Sequence, residues 1–85
     1  MNTILVNSTL GKVEHIEEIL PREFAVVTKW KEEGILAHLF IKEAAGGAVL
    51  VFNETDLAKV QALVSQLPLF PHFEKTEYTL LEKQF

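Results

Sequence analysis

Residues 35–52 read ILAHLFIKEAAGGAVLVF. Two apolar runs, ILAHLFIK (35–42) and AVLVF (48–52), flank Ala44-Ala45-Gly46-Gly47, a stretch too small and glycine-rich to continue either one. Runs of this length, rich in valine, isoleucine and phenylalanine and bounded by glycine, predict strands, and the short connection predicts an antiparallel hairpin. Alternation along the first run groups Ile35, Ala37, Leu39 and Ile41 on one face and Leu36, His38 and Phe40 on the other. Both faces are apolar.

Working outward, Gly34 is a natural helix stop, and Lys12–Glu33 carries Val13, Ile16, Leu20, Val27 and Trp30 at steps of three and four. Pro21 interrupts this pattern: it either kinks one helix or opens a second at its favoured first position. Residues 3–8 (TILVNS) predict a strand before it. Downstream, Asn53-Glu54-Thr55-Asp56 offers helix caps, with Leu57, Val60, Leu63, Val64 and Leu67 on one helical face. A final strand is expected near 73–81 (FEKTEYTLL). The order β-α-β-β-α-β predicts an α+β, ferredoxin-like domain, a four-stranded antiparallel sheet with both helices on one face. The other face is then uncovered, and a second copy packed sheet to sheet, as a dimeric α/β barrel, is its cheapest cover.

The totals fit one small domain over residues 1–85 and narrow the chemistry. The 85 residues are 48% hydrophobic and 24% charged, with a net charge of −4 and no cysteine. Disulfides and thiolate metal sites are excluded, and the three histidines show no ligand spacing, so no metal is expected. Nucleic acid would be repelled. The start, MNTILVNSTLGK, has no basic lead, and no run approaches a membrane span, so a soluble, cytoplasmic protein is expected. A domain this small commonly needs association for stability, so another copy of the chain is the expected partner.

Few residues can do chemistry. About 100° of turn per residue puts Val27 and Trp30 within about 40° of Glu23, which sets a carboxylate on a stripe that otherwise faces the core. Burial would raise its pKa and suit it as a proton acceptor. If Pro21 begins a helix, however, Glu23 is an ordinary first-turn acid. His38 stands alone between Leu36 and Phe40, either as a proton shuttle or as a histidine satisfied by its neighbours. Trp30, Phe40 and Phe70 either line a cavity or fill the core. His72 follows Pro71 at an expected pocket rim. Within LPLFPHFE (67–74), two prolines bracket Leu69 and Phe70, which predicts a buried, shaped connection. Nothing pairs a serine or cysteine nucleophile with a base.

With these residues together, the chain resembles the muconolactone delta-isomerase family. The resemblance lies in QLPLFPHFE (66–74), in KEEGILAHLF (31–40) and in Glu23, about eleven residues before Gly34, and it spans nearly the whole chain. It implies a dimeric α/β barrel, often assembled into larger rings, and a cofactor-free isomerase of aromatic-compound breakdown that shifts a proton in an unsaturated lactone. Glu23 would be the base, His38 the donor or an orienting group, and Trp30, Phe40, Phe70 and His72 would contact a small-molecule substrate. The chain departs from the pattern at Ala37 and Ile41, where the isomerases carry basic residues. Two other readings share the fold: a non-catalytic ligand-binding or structural barrel, and a cofactor-independent monooxygenase-like enzyme.

Overall fold

The expected hairpin is present in the computed structural model, which describes residues 2–84. Strands β2 (Leu36–Ile41) and β3 (Gly47–Phe52) pair antiparallel across a short 3-10 turn at Glu43–Ala45. Lys42 N–H closes the turn on Gly47 O at 2.9 Å. Gly47 sits at φ 141°, and a Cβ there would run into the carbonyl of Ser8 on the neighbouring strand. Only glycine fits.

The remaining strands are β1 (Asn2–Leu10) and β4 (Phe73–Glu82), and the sheet order is β2-β3-β1-β4, antiparallel throughout. The central strand β1 runs further at both ends than alternation alone predicts. Helices α1 (Ile16–Glu32) and α2 (Leu57–Val64) cover one face. Their Val27, Trp30, Val60 and Val64 form one core with Ile4, Val6, Leu36, Leu50 and Phe52. Trp30 packs on Phe52 with ring centroids 5.6 Å apart. Helix α2 is capped by Asp56, whose carboxylate accepts from Ala58 N–H at 3.0 Å and Lys59 N–H at 3.4 Å. Leu67, expected on the α2 face, lies just beyond the helix and is buried.

Helix α1 begins at Ile16, later than the apolar period, which starts near Lys12. Gly11 N–H is held by His72 O at 3.1 Å, and His15 takes a left-handed φ of 56°, so the intervening residues carry the chain from sheet to helix. Pro21 lies inside a single helix and does not begin a new one. Its missing N–H removes the usual i+4 donor to the carbonyl of Glu17, an exposed residue where water can make good the loss. Glu23 is therefore mid-helix, and the first-turn explanation of its charge does not apply. At the far end Gly34 N–H bonds Lys31 O at 3.1 Å and Ile35 N–H bonds Trp30 O at 2.9 Å, the Schellman closure that the glycine predicted.

One expectation fails in β2. Leu36 faces Phe52 but His38 already faces Val51, so Ala37 is an extra residue, a β-bulge. The bulge separates Leu36 from His38 and Phe40. Leu36 turns into the core, whereas His38 and Phe40 share the uncovered face with Val49 and Val51. Strand pairing adds Leu5 and Asn7 to that face, and Phe40 is 58% exposed. Asn7 Oδ1 is buried there with no hydrogen-bond partner among the described residues.

Candidate functional site

Between α1 and the hairpin end of the sheet lies a cleft with a cavity of about 70 Å³. The period of α1 turns Ile16, Leu20, Glu23, Phe24 and Val27 toward it. The hairpin contributes Leu39, Ile41, Gly47, Ala48 and Leu50, and β1 contributes Ser8 and Leu10. Leu69 and Phe73 close the remaining side. Phe24 and Ile41 are 47% and 57% exposed, so the mouth of the cleft is apolar too.

Among the described residues, Glu23 is the one ionisable side chain in this lining. Its Oε1 accepts the backbone N–H of Leu69 at 3.0 Å. Burial pushes the carboxyl above its ordinary range, and the Leu69 hydrogen bond, which favours the ionised form, offsets only part of that rise. The LPLFP segment explains the donor. Phe70 N–H bonds Leu67 O and His72 N–H bonds Leu69 O, both at 2.9 Å, so a 3-10 turn with Pro71 inside it and Pro68 just ahead of it holds Leu69 against α1. The segment thus supplies a cleft wall through Leu69 and a fixed amide for the carboxylate.

Ser8 is the second polar group. It is fully buried, donates to Ala48 O at 3.0 Å and accepts from Ala48 N–H at 3.1 Å. It was missed in the sequence, although its place in the inward series Ile4, Val6, Ser8 was a usable signal. Both polar side chains of the cleft are thus engaged with backbone.

The other candidates lie elsewhere. Trp30 is core, away from the cleft. Phe70 meets Phe73 edge-on at 6.0 Å and stands behind the wall that Phe73 forms. His72 is half-buried and ties its backbone to Gly11 and Leu69. The rings of His38 and Phe40 stack at 6.1 Å on the uncovered sheet face. His38 also borders a more open groove, lined by Thr28 and Lys31 of α1, that shares Phe24, Val27 and Leu39 with the cleft. One chain does not bring Glu23 and His38 together. Among the described residues no cluster of three acidic, histidine or cysteine side chains could hold a metal ion, and no helix is long and apolar enough to cross a membrane.

No protein-family model matches the chain, and no curated protein matches it in sequence. Solved structures do match in shape. A crystal structure of muconolactone isomerase superposes with a TM-score of 0.80 at 21% identity, over 96% of this chain and 90% of that one. An antibiotic biosynthesis monooxygenase gives 0.66 at 18% identity, over 98% of both chains. A 5-chloro-2-hydroxyhydroquinone dehydrochlorinase from Burkholderia phenoliruptrix AC1100, in complex with 2,5-dihydroxybenzoquinone, gives 0.70 at 12% identity, over 94% and 93%. At these identities the likeness establishes the ferredoxin-like fold, one shared by several small-molecule enzymes.

Proposed function

We propose that the protein is a cofactor-free isomerase that moves a proton within a small unsaturated lactone, or a kindred conjugated carbonyl compound, in the Glu23 cleft. The observation that carries this reading is a lone, partly desolvated carboxylate in a hydrocarbon-walled cleft. Such a group is a stronger base than a solvated one, and the shared fold with muconolactone isomerase supports the reaction class.

The step is a balanced proton shift. The Glu23 carboxylate takes the γ-proton of a butenolide, and the C–H electron pair moves through the ring onto the carbonyl oxygen as a dienolate. The same carboxyl then returns the proton to the α-carbon, and the double bond ends one position along the ring. The Leu69 amide keeps the carboxylate oriented through Oε1, which leaves Oε2 to carry the proton. In this proposal His38 acts from outside the cleft, across the groove that adjoins it. Trp30, Phe40, Phe70 and His72 support the surrounding walls and the sheet face rather than touch substrate.

The working unit in this reading is a homodimer or larger ring formed through the uncovered face. Its apolar side chains and the unpaired Asn7 oxygen favour a covering partner. The test of activity is exchange of solvent deuterium into β-angelica lactone, followed by NMR. Wild type is expected to catalyse exchange and Glu23→Gln to lose it. Equal exchange by both, or none by either, overturns the assignment. A second reading, binding without catalysis, is favoured by one observation: Ser8 and Glu23 are both already bonded to backbone, and among the described residues no further side-chain donor lines the cleft.

A further inference from the structure

The walls of the cleft constrain the charge of what it holds. Among the described residues its lining brings no lysine, arginine or histidine to a ligand. The Ser8 hydroxyl hydrogen is committed to Ala48 O, and Leu69 N–H is committed to Glu23. An anionic ligand would therefore lose its water, gain no donor, and meet a carboxylate of its own sign. Burying an unpaired ion is among the most unfavourable steps a binding site can take. A cation would fare no better in the proposed reaction, because pairing with Glu23 would hold that carboxylate ionised and occupied.

We infer that the cleft takes an uncharged ligand and rejects carboxylate-bearing lactones, muconolactone itself among them. The inference rests on the Glu23 cleft being the substrate site. The position that decides it is Ile41, which lines the cleft yet is more than half exposed. A lysine there would lay its hydrocarbon stem along the rim and keep its ammonium hydrated at the mouth, within reach of a bound carboxylate.

A matched pair isolates charge from shape: muconolactone and its methyl ester, titrated calorimetrically into wild type, Glu23→Gln and Ile41→Lys at neutral pH. Wild type is expected to bind the ester at least ~30-fold more tightly than the acid. Glu23→Gln removes the like charge and narrows that ratio. Ile41→Lys improves binding of the acid by about 3- to 5-fold, a gain that added salt erodes. Wild type that binds the acid as tightly as the ester, or that binds neither at millimolar concentration, overturns the inference. Deuterium exchange into the ester separates this result from the proposed reaction. A clear ester preference without Glu23-dependent exchange sinks the isomerase and leaves the neutral-ligand site standing.

Discussion

Glu23 affects stability as well as chemistry. Its folded pKa is raised above the ordinary value of 4.5, so the native state holds the proton more tightly than the unfolded chain does. The resulting contribution to stability is fully present below that ordinary value and is lost as pH rises through the raised one. Ionised Glu23 is thus a net cost near neutrality. Glu23→Gln, which keeps an acceptor for Leu69 N–H, should melt higher than wild type at pH 7, and the gap should close toward pH 4. A melting difference that does not move with pH would contradict this. Ser8 makes the opposite case. Ser8→Ala removes a buried side-chain hydrogen bond from a pair that the β1–β3 ladder still joins and should cost about 0.5–1.5 kcal/mol in urea denaturation. The helical period sufficed to place Glu23 on the inner stripe. Its partner could not be read, because a hydrogen bond to Leu69 spans forty-six positions and depends on how LPLFP folds.

Among the elements, local signals were most reliable where one residue type controls the backbone. Gly34 closed α1 and Asp56 opened α2 because their chemistry acts within a few residues. Pro21 was ambiguous for the converse reason: a proline tolerated in a helix and one that starts a helix look alike until packing selects between them. The hairpin was legible, but the Ala37 bulge was not, since an inserted residue carries no mark when both strand faces are apolar. Gly47 gives a prediction at this scale. Gly47→Ala combines φ 141° with a collision against the Ser8 carbonyl, so it should weaken the β1–β3 ladder by at least about 2 kcal/mol. Amide exchange at Leu50 and Phe52, whose N–H groups face β1, should quicken with it. Wild-type exchange rates in the alanine variant would show that the strands can spread at little cost.

The whole molecule leaves one face of its sheet to be covered. Leu5, Val49, Val51 and Phe40 form an apolar field on the β2 side of Asn7, with Glu77 and Thr79 on its β4 side, and a chain of 85 residues has little surplus stability with which to tolerate it. At tens of micromolar the protein is expected to sediment as a dimer or larger. Val49→Glu, which sets a charge in the middle of that field, should give monomers that melt lower. Stable wild-type monomers would remove the argument. Composition made association an expectation, and strand pairing now names the residues. The number of copies lies beyond both, because it depends on how two surfaces meet.

The bulge at Ala37 also sets how β2 can be compared with other chains. A strand with one inserted residue changes parity at that point, so positions before and after it follow different counts of inside and outside. Against a relative whose strand runs unbroken, a match without a one-residue gap would pair an inward side chain with an outward one over half the strand. Ala37 is the inserted residue itself, and Ile41 lies beyond it. A cationic site carried across from such a relative would then be assigned to the wrong face of the sheet.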